Sequence, residues 1–226
     1  MNKLFNILKE KYIYIIYLLI TIFFIYQYSL GVGWDFITYI LNAKYLFSNG
    51  IYFEWFRPPL TPFLIGVFSI FTWGLAPYTY IILVTTVHFF SSLKFADKFN
   101  LNKNLYYVLS LSPFLLINGL TEGTELLSLS LLQLFLAYYN RKGSSIFLSL
   151  AFLIRYPNII FLPLILFKKN LKKILFDLFI LILIMSPWLL YNYHFTGNAL
   201  TSIVDSYALN VKFRLEYILF NFDIII

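Results

Sequence analysis

The chain has 226 residues, of which 61% are hydrophobic, 22% aromatic and 12% charged, with a net charge of +7 and no cysteine. An ordinary soluble domain carries about twice that share of charged residues, so a soluble globular enzyme and an intrinsically disordered chain are both excluded. The missing cysteines exclude disulfides, thiolate metal sites and a cysteine nucleophile. The apolar residues come in long runs broken by short polar stretches, without the two-residue alternation of a membrane barrel. This predicts an all-α, polytopic transmembrane helical bundle. No soluble domain, linker or repeat interrupts it, and residues 1–226 read as a single membrane domain.

Seven apolar stretches follow in chain order: 12–30, 59–76, 78–93, 105–119, 125–139, 144–167 and 171–191. The first follows Lys3, Lys9 and Lys11 and lacks a small-residue cleavage site after it, so it reads as an uncleaved signal anchor with a cytoplasmic N-terminus. The loop after it, DFITYILNAKYLFSNG, places Phe36, Ile40, Ala43 and Phe47 on one helical face. Asp35, Thr38, Asn42, Tyr45 and Asn49 fall on another, and Gly50 sits where a helix would stop. That pattern predicts an amphipathic juxtamembrane helix lying on the outer surface in the first outer loop.

The basic residues decide between two topologies. If every apolar stretch crosses once, seven Lys and Arg lie inside and nine outside, and Arg155 is stranded in mid-membrane. If instead 59–76 enters and returns, and 144–167 is a hairpin of two half-length helices broken at Arg155-Tyr156-Pro157, twelve lie inside and five outside. The second arrangement satisfies the positive-inside rule. Proline supports the break, because it removes a backbone donor and disfavours helix at the preceding residue. It also puts Asp35, Glu122, Glu125, Arg155 and His194 on one outer side. The net positive charge is thus a topology signal, and nucleic-acid binding is not expected.

Several residues could carry chemistry. Asp35, in GVGWDF, is either a boundary carboxylate acting as general base or metal ligand, or the N-cap of the helix that starts there. Glu122 and Glu125, in NGLTEGTELL, are either acids favoured by a helix N-terminus or a second carboxylate facing Asp35. Arg155 either binds a lipid phosphate, snorkels to the interface, or pairs with Glu122 or Glu125. Arg57, in EWFRPPL, reads as an interface anchor. His88, alone in an apolar stretch, reads as a packed core residue. His194, in YNYHFTGN, is a ligand or part of an aromatic belt. No zinc-ligand spacing, glycine-rich phosphate loop, Ser-His-Asp signature or nucleotide motif occurs.

With these residues in hand, the chain resembles the N-terminal module of the GT-C glycosyltransferase superfamily, nearest to the branch of protein O-mannosyltransferases and aminoarabinose-lipid transferases. Four segments carry the resemblance in order: WDFITYILNAKYLFSNG, RPPLTPFL, TEGTELLSLSLLQLFLAYYNR, and SLAFLIRYP with the later SPWLLYNYHFTGN. The resemblance implies a membrane enzyme that moves a sugar from a polyprenyl- or dolichyl-phosphate donor to an acceptor on the outer face. It aligns Asp35 with the family's catalytic acid and Glu122 or Glu125 with its second acid. Arg57 and Arg155 become the donor-phosphate ligands, and the first acid would either activate the acceptor hydroxyl or help hold a divalent metal as cofactor. The implied partners are the lipid-linked sugar donor and membrane lipids.

The chain departs from the family at three points. Phe36 follows Asp35 where many members have Glu, the second acid is Glu rather than Asp, and the sequence ends at LFNFDIII, which reads as a span just begun. That ending leads to the expectation of a split or shortened gene, of a minimal homologue with a partner subunit supplying further spans, or of an inactive product. Two readings from other classes compete: a small transporter or channel subunit whose broken stretches form a midplane site, and a non-catalytic multi-pass protein whose acids are only caps and anchors.

Overall fold

The computed structural model describes the backbone of residues 2–223 and the side chains of residues 12–212. The described residues are all-helical. They form α1 (Asn2–Leu30), α2 (Trp34–Phe47), α3 (Leu60–Phe68), α4 (Ala76–Lys98), α5 (Lys103–Ser110), α6 (Pro113–Asn118), α7 (Glu125–Ala137), α8 (Ser145–Ile154), a 3-10 helix (Tyr156–Phe167), α9 (Leu171–Thr196) and α10 (Thr201–Asp223). Among the described residues, three segments are long and apolar enough to cross a membrane: Tyr12–Leu30 of α1, α4 and α9. Lys3, Lys9, Lys11 and Arg214 lie outside the described side chains, and the last residues of LFNFDIII lie outside the described backbone.

Direct contacts fix how the helices run. Tyr28, near the end of α1, meets Tyr78, near the start of α4, edge-on at 4.9 Å. Deeper in, Thr21 donates to Thr85 and the Tyr17 hydroxyl bonds Thr86 at 2.7 Å. The two helices are therefore antiparallel, and α4 starts at the end where α1 stops. The intervening stretch 59–76 returns to the end it left. Its helix α3 has nine residues, about 14 Å of rise against a hydrocarbon layer of about 30 Å.

Helix α7 runs parallel to α4. The Tyr80 hydroxyl donates to the Gly123 carbonyl at 2.6 Å, His88 bonds Ser130 at 3.1 Å, and Ser91 donates to Gln133 at 2.8 Å. His88 also bonds Ser110 at 3.0 Å and is almost completely buried, so it is the core residue its isolation suggested. Hydroxyl and amide groups of this kind are what tie helices together where an apolar surround supplies no hydrophobic drive, at about 0.6 kcal/mol each.

Stretch 105–119 differs from a continuous run. Ser112 caps a new helix by accepting from Leu115, and Pro113 opens it, so the stretch divides into α5 and α6. Stretch 125–139 forms only the 13 residues of α7, about 20 Å of helix, short of a full crossing. Stretch 144–167 breaks where expected. Arg155 is extended at φ −149 and ψ 115, and the chain doubles back as a 3-10 helix. The turn is held by Asn158, whose amide donates to the Ala151 carbonyl at 2.7 Å and to Ser128 at 2.8 Å.

These directions sort the molecule into two ends. Lys94, Lys98, Lys103, Arg141, Lys142, Lys168, Lys169, Lys172 and Lys173 gather at one. There Lys168 forms a fully buried ion pair with Asp177, which also accepts from the Gly143 amide and the Ser145 hydroxyl. The opposite end collects α2, α3, the α6–α7 turn and the Arg155 turn.

The amphipathic helix corrects one expectation. The range Trp34–Phe47 matches the reading, but the polar face is only partly in water: Tyr45 and Asn49 are exposed, whereas Thr38 and Asn42 are buried together with Phe36 and Ala43. Asn42 explains the difference. Its amide donates to the Glu54 carbonyl at 3.1 Å and its oxygen accepts from the Glu54 amide at 2.9 Å. One side chain thus meets both backbone groups of a loop residue that has no helical partner. Helix α2 packs on α3 through Phe47, which meets Phe63 at 5.6 Å.

Candidate functional site

The site is built where two glycines permit close backbone approach. The Gly33 amide donates to the Thr121 carbonyl at 3.0 Å, and a Cβ at Gly33 would meet that oxygen at 2.9 Å. Gly123 holds φ +86, a left-handed conformation that favours glycine, and a Cβ there would meet the Phe36 ring at 2.9 Å. The start of α2 is thereby pinned to the turn that carries Glu122, and two acids nearly ninety residues apart in sequence become neighbours.

Asp35 is not the helix cap. Gly33 occupies the cap position without a side-chain bond, and Asp35 sits in the first turn. Its carboxylate pairs instead with Arg57 at 2.9 Å. The Arg57 guanidinium also donates to Glu54 at 2.5 Å and lies over the Tyr39 ring, 5.3 Å from its centre. Burial alone would lower the Arg57 pKa, but Glu54 and Asp35 outweigh it and hold the charged form. Burial pushes the Tyr39 phenol up to about 12, with Arg57 pulling the other way. Arg57 is therefore a locked hub rather than a free interface anchor.

Across the cavity, Arg155 pairs with Glu125 at 2.5 Å. Of the alternatives for this arginine, the partnership with an acid is the one present. Glu125 opens α7, and its other oxygen accepts from the Thr124 amide and hydroxyl. The carboxylate is 10% exposed, whereas the Arg155 side chain is 41% exposed and faces open space.

Glu122 stands between these two ion pairs, in the turn before α7 and exposed. Its carboxyl titrates above the ordinary range: partial desolvation comes first, then the negative charges of Glu125 and Asp35 and a hydrogen bond to Asp35, with Arg155 opposing. Four carboxylates thus share the cavity with two guanidinium groups, and both guanidiniums are already engaged.

The cavity measures about 560 Å³ and is lined by Asp35, Arg57, Glu122, Glu125 and Arg155 among others. All five sit at the end of the bundle opposite the lysine-rich end. His194 is not brought to it; it lies exposed on the last turn of α9 against the Phe195 ring at 5.0 Å. Helix α10 supplies wall residues that carried no sequence signal, with Ser206, Tyr207 and Asn210 facing the acids. Glu54 is the second addition, legible only as a neighbour of Arg57 three residues on, a spacing that suits an ion pair.

Among the described residues there is no group of three or more His, Asp or Glu side chains placed to hold a metal ion. The paired carboxyls of Asp35 and Glu122 are two donors, short of a ligand set, so the donor set does not fit a resident divalent metal.

Chemically, the arrangement offers a part-exposed carboxylate in the first turn of α2, a carboxyl beside it that retains its proton to higher pH, and an ion-paired arginine whose side chain is 41% exposed. Comparison with protein-family models, with curated proteins and with solved structures finds no match to this chain.

Proposed function

We propose that the protein is a polytopic membrane glycosyltransferase of GT-C type, transferring a sugar from a polyprenyl- or dolichyl-phosphate donor to a hydroxyl acceptor. The observation that carries the reading is the convergence of Asp35, Glu122, Glu125, Arg57 and Arg155 on one cavity, at the end of the bundle away from the lysines. By the positive-inside rule the lysine-rich end and the N-terminus are cytoplasmic. The cavity then opens at the outer face of the cell membrane, with α3 and the α8/3-10 hairpin as non-crossing elements. The position of the acids at one end, rather than midway along the helices, favours this reading over a transport site.

In the proposed reaction the acceptor oxygen attacks the anomeric carbon of the donor. The new bond is carbon to acceptor oxygen; the broken bond is carbon to phosphate oxygen, and its electron pair leaves with the phosphate. Asp35, exposed at the cavity wall, takes the acceptor proton. Arg155 turns from Glu125 toward the leaving phosphate and meets its growing charge. Arg57 holds Asp35 in place.

Two measurements test the proposal. In purified full chain supplied with a polyprenyl-phosphate sugar and a glycoside acceptor, Asp35→Asn lowers turnover by about a hundredfold or more; unchanged turnover rejects the role of Asp35. In the cysteine-free chain, a cysteine replacing Lys142 is labelled from the cytoplasmic side only and one replacing Asn49 from the outer side only. Labelling of both from one side rejects the topology.

A further inference from the structure

A second cavity, of about 420 Å³, lies beside the first and is walled by aromatic rings. Tyr45 stacks on Phe53 at 4.6 Å and 22°, Phe53 meets Tyr191 edge-on at 6.2 Å, and Tyr191 contacts Phe195 at 4.6 Å. Behind them Trp188 stacks flat on Tyr191 at 5.2 Å and 8°, which fixes the platform. Three polar side chains complete a lining that is otherwise apolar. Asn192 is buried and donates to Ser202 at 2.7 Å, and the Thr196 and Thr201 hydroxyls bond each other at 2.8 Å. Aromatic rings edged by an amide and two hydroxyls suit a ligand that is apolar on its faces and polar at its rim. A pyranose matches it: axial C–H bonds meet the electron-rich ring faces, equatorial hydroxyls meet the amide and threonines, and the volume suits a small ligand.

The position of this cavity ties it to the acids. Trp55 lines it, while its chain neighbours Glu54 and Phe56 line the first cavity. Thr201 of α10 lines it, while Ser206 and Tyr207 line the first. The Trp55 indole also donates to Asp205 of α10 at 2.8 Å, so the same two segments contribute to the walls of both cavities.

We propose that the aromatic cavity is a carbohydrate subsite holding a pyranose ring of the acceptor, so that the acceptor is a glycan or glycoside; the word acceptor rests on the transferase reading, while the sugar site itself does not.

The test is saturation-transfer NMR on the full chain in lipid nanodiscs, with methyl α-mannoside, methyl β-glucoside and N-acetylglucosamine as separate probes. Saturation is expected to reach the ring C–H protons of at least one probe. It should fall at least fivefold in Tyr45→Ala and in Phe195→Ala, and persist in Asp35→Asn. Both aromatic variants alter exposed rings, and thermal unfolding checks each; if one fails to fold, the other carries the test. No transfer to any probe, transfer unchanged in the aromatic variants, or transfer only to the acyl protons of an added short-chain phospholipid overturns the proposal. Sugar binding without turnover rejects the transferase reading alone; turnover without sugar binding rejects the subsite alone.

Discussion

Gly33 and Thr121 are joined backbone to backbone, amide to carbonyl across 3.0 Å. This one contact brings the first turn of α2, with Asp35, against the turn that holds Glu122. The approach leaves no room for a side chain at position 33, although its φ of −65 is one any residue adopts. Replacement by alanine therefore acts through crowding alone. Because the obstructing atom belongs to backbone, Gly33→Ala is expected to destabilise the folded chain by about 1–3 kcal/mol. Thermal unfolding in detergent reads that loss, and an unchanged midpoint refutes the packing argument.

The Arg155–Glu125 pair is suited to a double-mutant cycle. Glu125 is nearly buried, so Arg155→Met leaves a carboxylate without its counter-charge, whereas Glu125→Gln leaves an arginine that can reach water. The first change is expected to cost more than the second, and the double variant less than the two together. The half-exposed arginine limits the coupling to about 1 kcal/mol. Additive effects would mean that the pair does not interact in solution.

Glu122 makes stability depend on pH in a defined direction. Its carboxyl has a higher pKa folded than the ordinary 4.5 it has when unfolded. Between those two values the folded chain holds the proton more tightly, so stability falls as pH rises through the window. Below pH 4.5 the protonated form is common to both states, and the stabilisation relative to the ionised state is fully present. Glu122→Gln is expected to flatten this slope, as read by unfolding midpoints between pH 4 and 7. A slope that survives the substitution assigns it elsewhere.

The buried Lys168–Asp177 pair predicts unequal single and double variants. Lys168→Met abandons a carboxylate with no exposure and is expected to cost about 3–5 kcal/mol. Lys168→Met combined with Asp177→Leu removes both charges and is expected to recover most of that loss. Chemical denaturation of the three proteins checks the order.

Parts of this architecture are legible in the sequence for physical reasons. Helix α1, α4 and α9 announce themselves by length and hydropathy, and Pro157 beside Arg155 marks the hairpin turn. The excess of lysine at one end supports the return of 59–76 before any contact is seen. The same charge count puts Asp35, Glu122, Glu125, Arg155 and His194 on one side, but which of them share a cavity, with Arg57 among them and His194 outside it, is not in the count. What stays hidden is pairing. Asn42 looks like a water-facing residue because its partner, the Glu54 backbone, contributes no side-chain signal. Asp177 sits unremarked in an apolar run because its lysine lies nine residues earlier, across a turn. Asp35 mimics a cap by position, yet the capping site falls on Gly33. Breaks at Ser112 and after Ala137 shorten two apolar stretches that composition alone cannot divide. The wall contributed by α10 carries no motif, since Ser206 and Asn210 are ordinary polar residues on an ordinary helix.

The bond between Lys168 and Asp177 also makes two consecutive segments interdependent. Both side chains are buried, and either one left alone in the closed fold is an uncompensated charge. The 3-10 helix and α9 therefore keep their mutual seating together or lose it together.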